Sequence, residues 1–132
     1  MAPVLLAAQA QAGPQAEIAA AMNASAAGWN AGDLQRFVAI YAADAVFVGR
    51  DGLVSGRQAI ADRYRPSFAD GANKRGRLNF EPLGFRRISA THQVMWARWR
   101  LRPASGAEET GMTTLLFERR PEGWRIVSDH SS

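Results

Sequence analysis

The segment TTLLFERRPEGWRIVSDHSS, residues 113–132, decides the fold class predicted for this chain. Its two strand-like runs, near 110–120 and 123–131, flank a Pro-Glu-Gly turn, which is typical of two antiparallel strands. Two further strand-like runs, near 77–88 and 92–102, precede them in the sequence. Together the four runs predict a long, curved antiparallel meander.

Helical patterns precede this meander. Apolar residues recur every three to four positions over residues 15–30, which predicts an amphipathic helix. A second run of apolar residues at helical spacing, over residues 34–41, predicts a short helix. A third helix is expected over residues 57–64, before Pro66 breaks the pattern. A small hairpin lies between the second and third helices. Three helices followed by a curved sheet indicate an α+β fold.

These elements predict a single domain over residues 15–132, a length that suits one hydrophobic core. Residues 1–14 are expected to be an N-terminal arm or the remnant of a signal peptide. Small-x-small triplets within residues 8–12 resemble a signal-peptidase site, but a basic region before them is missing. The location therefore stays open: cytoplasmic placement is favoured, and export is expected if residues 1–14 are a signal remnant.

The composition excludes several classes of function. The chain has no cysteine, so disulfides and thiolate sites are excluded, and its two histidines, His92 and His130, lie far apart. We therefore expect no metal and no cofactor. The net charge of +4 comes from scattered basic residues without a dense run, which argues against nucleic-acid binding. No run of apolar residues is long enough to predict membrane insertion.

The last predicted strand carries the most informative polar residues. Strict alternation places Trp124, Ile126, Ser128 and His130 on one face, which is the more apolar one. An imidazole on such a face is either a satisfied core group or the polar point of a pocket. Alternation places Asp129 on the opposite face, where we expect it to pair with an arginine of the adjacent strand.

The strings WNAGDLQRFVAIYAADAVFV (29–48), GLVSGRQAIADRY (52–64) and the segment 113–132 resemble the nuclear transport factor 2-like superfamily. Within it, the chain is similar to the group of small bacterial SnoaL-like and calmodulin-dependent kinase II association-domain-like proteins. The resemblance implies a cone in which a curved antiparallel sheet wraps around three N-terminal helices and leaves an internal cavity. It also implies a homodimer. Members are enzymes, binders and assembly modules, so the fold does not select a function.

Steroid isomerases of this superfamily use a carboxylate base and two acidic hydrogen-bond donors. Alignment with them places these three positions on Ser25, Gly49 and Leu115, none of which can supply the chemistry. The resemblance therefore disfavours the steroid-isomerase mechanism. The same alignment places Ser128 and His130 on cavity-facing positions of the last strand, as the alternation does.

Eight residues are expected to contact a ligand, because they lie on the apolar stripes of their elements or at the cavity-facing positions. They are Met22, Trp29, Tyr41, Tyr64, Trp99, Leu115, Ser128 and His130. The first hypothesis is a mostly apolar cavity that binds a small hydrophobic or aromatic molecule. The second is a cyclase, isomerase or hydrolase that uses His130 as acid or base. The third is an association module that oligomerises through an arginine-rich sheet face.

Overall fold

The structure is a computed structural model that describes residues 13–69 and 71–132. The predicted N-terminal arm or signal remnant lies almost wholly outside the described residues. The elements in chain order are α1 (Gly13–Asn30), α2 (Leu34–Val38), β1 (Tyr41–Gly49), β2 (Gly52–Ser55), α3 (Arg57–Ala69), α4 (Ala72–Arg75), β3 (Arg77–Arg87), β4 (His92–Arg102), β5 (Glu109–Arg120) and β6 (Gly123–Ser131). This order confirms the predicted α+β class.

The described strands form one six-stranded sheet with the order β2-β1-β6-β5-β4-β3. Strands β3 to β6 form the predicted antiparallel meander, and β2 pairs antiparallel with β1. The exception is β1, which pairs with β6 in parallel, so the last strand lies in the middle of the sheet. The sheet curves around the helices and does not close, since β2 and β3 remain edges.

Two boundaries differ from the predictions. The stripe ending at Tyr41 was interpreted as helix, but α2 ends at Val38 and Tyr41 begins β1. The Ile126 amide donates to the Ile40 carbonyl at 2.8 Å, so pairing with β6 replaces further helical bonds. The third helix continues through Pro66 to its end at Ala69. Phe68 packs its ring 5.1 Å from that of Trp29, which anchors the turn after the proline.

A β-bulge interrupts the pairing of β6 with β5. Phe117 lies opposite Ile126, but Leu116 lies opposite Ser128, so Val127 has no partner residue on β5. One extra residue shifts all later side chains of a strand to the other face. Consequently Trp124 and Ile126 face the helices in the first half of β6, whereas Asp129 does so in the second half.

The described helices pack on the concave face of the sheet. Close packing of α1 on α2 requires Gly28, because a Cβ there would lie 2.6 Å from the Phe37 backbone nitrogen. An aromatic cluster of Trp29, Phe37, Tyr64 and Phe68 joins α1, α2 and α3 through edge-to-face or tilted contacts at 5.0–6.2 Å. Among the described residues, no helix combines the length and apolarity needed to cross a membrane.

Candidate functional site

A cavity of about 270 Å³ lies between the helices and the concave face of the sheet. A cavity of about 150 Å³ can hold benzene, so this one has room for a molecule of one or two rings. Most lining side chains are apolar. They are Met22, Trp29, Phe37, Ile40, Tyr41, Phe47, Tyr64, Leu78, Phe80, Trp99, Leu101, Leu115 and Ile126, and the more polar lining residues are Ser25, Arg63, Thr113, Asp129, Ser131 and Ser132.

Asp129 is the one carboxylate side chain among the described lining residues, and it is only 4% exposed. The Tyr41 hydroxyl donates to its Oδ2 at 2.6 Å. On the other oxygen, Oδ1, the Ser131 and Thr113 hydroxyls lie at 2.6 Å and 3.3 Å. Within the described chain no lysine or arginine forms an ion pair with this carboxyl, which is therefore held by hydroxyl groups alone.

Burial raises the pKa of Asp129 above its usual range, because a charged carboxylate is poorly solvated inside the protein. Hydrogen bonds from Ser131, Tyr41 and Thr113 act in the opposite direction and stabilise the anion. Desolvation is the larger effect. A buried carboxyl with a raised pKa is a stronger base than an exposed one and takes up a proton more readily.

The phenols of Tyr41 and Tyr64 add two hydroxyl groups to the polar side chains that line the cavity. Burial and the neighbouring Tyr64 and Asp129 raise the pKa of Tyr41 well above its ordinary value. Burial likewise raises the pKa of Tyr64 to about 12. Both phenols therefore stay protonated at neutral pH and can donate hydrogen bonds to a ligand oxygen or to Asp129.

The cavity reaches solvent at the ends of β1 and β6. Only Arg63 and Ser132 among the lining residues are exposed, and we call this side the cavity mouth. Ser132 follows β6 and exchanges backbone hydrogen bonds with Met112. Arg63 lies over the ring of Phe47 on β1, with 4.6 Å between the guanidinium carbon and the ring centroid.

Trp99 forms one wall near the mouth. Its indole nitrogen donates to the Ser132 carbonyl at 3.2 Å, and its ring lies against Gly111. A Cβ at Gly111 would lie 2.7 Å from the indole and closer still to the Ser132 oxygen. Gly111 therefore provides the space in which this wall is formed.

Six of the eight predicted ligand contacts lie together around the cavity: Met22, Trp29, Tyr41, Tyr64, Trp99 and Leu115. Whether they contact a ligand stays a prediction.

The predicted orientation of Ser128 and His130 was wrong. His130 is exposed and lies between Thr114 and Val48 on the convex face, and Ser128 lies on that face between Leu116 and Val46. The prediction for Asp129 was wrong as well, since it is buried inside rather than paired with an arginine outside. The physical reason is the bulge at Val127, which reverses the alternation for the rest of the strand.

The polar end of the cavity was thus missed by sequence reasoning. Without the bulge, the register set by the turn would place Leu115 opposite Ser128, instead of opposite Asp129 as observed. A bulge at a residue such as valine leaves no signature comparable to a glycine or proline. The one available signal was the succession of Ser128, Asp129 and Ser131 at the end of the strand, after Ile126 and Val127.

The positions aligned with the isomerase acids have other roles here. The Ser25 hydroxyl donates to the Phe37 carbonyl at 2.8 Å, and Leu115 is a buried wall of the cavity. Gly49 lies at the end of β1 and carries no side chain. However, Leu115 is the direct cross-strand partner of Asp129, so a carboxyl enters the same region from the neighbouring strand.

No curated protein matches the chain. Among solved structures it is similar to an NTF-2 like protein of unknown function from Shewanella oneidensis MR-1, with 24% identity, a TM-score of 0.82 and coverage of 91% of this chain and 99% of that one. It is also similar to a candidate calcium/calmodulin-dependent protein kinase type II association domain from Thiobacillus denitrificans. The two share 25% identity and a TM-score of 0.69, with coverage of 86% of this chain and 91% of that one.

A ketosteroid isomerase-like protein from Erwinia carotovora atroseptica SCRI1043 shares 20% identity and a TM-score of 0.65, with coverage of 89% of this chain and 93% of that one. These structural similarities confirm the predicted NTF2-like fold. The family model of the SnoaL-like domain matches residues 18–132, which is most of the chain. The chain therefore belongs to the SnoaL-like domain family of the NTF2-like fold.

Proposed function

We propose that this protein binds a small, flat, largely apolar molecule in the inner cavity and holds one oxygen of it at the Asp129 end. The observation that carries this proposal is the distribution of polarity along the cavity. Its walls are aromatic and aliphatic, and the hydroxyls of Tyr41 and Thr113 converge on the buried Asp129. A mostly apolar pocket with a few convergent polar groups is the usual form of a small-molecule site.

The proposal is tested with 2-naphthol, a neutral two-ring molecule with one hydroxyl, in isothermal titration calorimetry. We expect Asp129→Leu to weaken binding about tenfold, because a hydrogen bond to a buried acid is lost. His130→Leu is the matched control from the convex face and is expected to leave the affinity unchanged. Unchanged binding by Asp129→Leu, or no binding by the wild type, would contradict the proposal.

A second candidate is an enzyme that moves a proton next to a carbonyl group. It is favoured by the environment of Asp129, whose raised pKa makes its carboxylate a stronger base than an exposed aspartate. In this mechanism the Asp129 carboxylate takes a proton from carbon, and the resulting enolate oxygen accepts a hydrogen bond from Tyr64 or Tyr41. Asp129 thus replaces His130 as the candidate acid or base.

Deuterium exchange of 2-tetralone, a two-ring ketone, tests this candidate by NMR in D₂O. The wild type is expected to accelerate exchange at the carbon next to the carbonyl, and the rate should rise as pH increases through the pKa of Asp129. Asp129→Asn should abolish the acceleration, whereas His130→Asn should retain it. Acceleration that survives in Asp129→Asn would exclude this role.

We further propose that the convex sheet face contacts a second copy of the chain. The association-domain protein of Thiobacillus denitrificans supports this by its name. Two arginines of this face are paired with acids, Arg100 with Glu81 and Arg102 with Glu108, so these two are weak candidates for the contact. Trp96 and Met112, 38% and 37% exposed, offer apolar area instead.

Sedimentation velocity tests the homodimer. The wild type is expected to sediment as a dimer and Trp96→Glu as a monomer, because a charge would be buried at the contact. Ile88→Glu, at an exposed apolar position beyond the end of β3, serves as the control and should stay dimeric. A monomeric wild type, or a dimeric Trp96→Glu, contradicts the proposal.

A further inference from the structure

The cavity mouth carries one cation, Arg63 of α3, and it is the one basic residue among the described lining residues. Its neighbours on the same helix are engaged elsewhere. Arg65 pairs with Asp62 at 3.1 Å, and Arg57 donates to the Tyr41 carbonyl at 3.3 Å. Within the described part of the chain, Arg63 has no acidic partner within ion-pair distance, although Asp51 lies in the nearby β1–β2 turn.

The position of Arg63 is fixed by an aromatic ring rather than by an acid. Its guanidinium lies over Phe47, which itself lines the cavity. A guanidinium that lies over an aromatic ring keeps the N–H donors at its own edge available for a bidentate contact with a carboxylate. The same charge acts on the phenol of Tyr64 and lowers its pKa, opposing the larger effect of burial.

The polar groups of the cavity therefore lie at two poles. The inner pole is the Asp129 carboxyl with its three hydroxyl partners, and the outer pole is the Arg63 guanidinium at the mouth. Tyr64 is close enough to both for each to act on its pKa, which Asp129 raises and Arg63 lowers. Because Phe47 is the β1 partner of Asp129, a ring system in the cavity can contact Asp129 while it reaches the Arg63 guanidinium over Phe47.

We propose that the natural ligand is an aromatic or alicyclic carboxylic acid whose carboxylate binds Arg63 at the mouth while its rings fill the cavity. This inference rests on the proposed ligand-binding function and specifies the chemical class of the ligand. An anionic end at the inner pole is disfavoured, because it would meet a second carboxyl in a desolvated site. The carboxylate therefore points outward, and a neutral oxygen or ring edge points toward Asp129.

The test compares 2-naphthoate with 2-naphthamide, a pair of equal shape in which only the first is charged, by calorimetry at low salt. We expect the wild type to bind 2-naphthoate about tenfold more tightly, as for a charge-assisted bidentate contact. This preference should shrink as salt is added, since the contact is at the surface. In Arg63→Gln the preference should vanish, because the affinity for 2-naphthoate falls about tenfold more than the affinity for 2-naphthamide.

Two further variants separate charge from structure. Arg63→Lys should retain part of the preference, because the charge remains without the planar donor pair. Arg65→Gln, two residues away on the same helix, should retain it fully. A preference that persists in Arg63→Gln, or equal binding of both probes by the wild type, overturns the Arg63 inference alone. No binding of 2-naphthoate, 2-naphthamide or 2-naphthol would instead overturn the ligand-binding function itself.

Discussion

The two halves of β6 pair with the same neighbouring strand and yet turn opposite sets of side chains toward the helices. Before Val127, the buried residues are Trp124 and Ile126, which complete the hydrophobic core. After Val127, Asp129 is buried, and it provides the polar end of the cavity. One unpaired residue thus separates the part of the strand that stabilises the fold from the part that carries the candidate chemistry.

The difference shows how a central strand can hold an acid inside an apolar core. Thr113 and Leu115, the β5 partners of Ser131 and Asp129, face the cavity from the adjacent strand. The bulge brings Asp129 and Ser131 to the same side as these residues, where the hydroxyls of Thr113 and Tyr41 meet the carboxyl. Burial of the acid is therefore accompanied by hydrogen bonds, which reduces its cost.

The strongest way to break this comparison is deletion of Val127 together with Ser128. Deletion of Val127 alone would leave Asp129 opposite Leu115 and inside, whereas the loss of both residues places Asp129 opposite Leu116 on the convex face and His130 inside. We expect a loss of at least about 3 kcal/mol in the free energy of unfolding, because the hydroxyl network and the β1 pairing are lost together. Urea denaturation measures it. Val127→Ala keeps the bulge and should cost only about 1 kcal/mol; equal losses would contradict this account.

The next largest effect is expected for Tyr41→Phe, which removes the hydroxyl that donates to Asp129 Oδ2. Leaving a buried carboxyl oxygen without its donor should destabilise the fold by about 1–3 kcal/mol. Tyr64→Phe is the matched control from α3. It should lower the free energy of unfolding by less than Tyr41→Phe does, as measured by thermal or urea unfolding. A larger loss for Tyr64→Phe would show that the Tyr41 contact is not the main support of the acid.

The pH dependence of folding stability in Asp129→Asn tests whether the second half of β6 buries an ionisable group. Because burial raises the pKa of Asp129, the native state binds its proton more tightly than the unfolded chain does. Its contribution to stability is full below the unfolded value of 3.8 and is lost as pH rises through the raised pKa. The asparagine variant cannot ionise, so its stability relative to wild type should increase from pH 4 to pH 7 in urea unfolding.

Asp44→Asn provides a control of opposite sign. A hydrogen bond from Arg120 lowers the pKa of this exposed carboxyl. The small contribution of Asp44 to folding stability is therefore present above the unfolded pKa and is lost as pH falls. Its variant should therefore lose stability relative to wild type as pH rises. A flat pH dependence for Asp129→Asn would mean that the acid is not desolvated in the native state.

The smallest effect is expected for His130→Ala. His130 neighbours Asp129 in the chain but is exposed on the convex face, so truncation should change the free energy of unfolding by no more than about 0.5 kcal/mol. Urea unfolding in a Trp96→Glu background, which is expected to be monomeric, measures this change without the proposed dimer contact. A loss comparable to that of Tyr41→Phe would place the imidazole in the core after all.

Much of the fold follows from the sequence, because alternation and helical spacing report which side of each element is apolar. This holds for β4, where Met95 and Ala97 are buried and Arg98 is not, and for α1, where Ile18, Met22 and Trp29 are buried. The aromatic walls of the cavity were predicted for the same reason. Large apolar side chains on these stripes surround whatever space the packing leaves.

By itself, the sequence determined the α+β class, the antiparallel meander and the apolar residues around the cavity, since these depend on local periodicity. Only the tertiary structure decided which residue of the pair Asp129 and His130 faces inward. That choice depends on the pairing of β6 with β5 and β1, where an unpaired residue at Val127 shifts the register. Periodicity within one strand cannot report such a shift, because it is a property of two strands together.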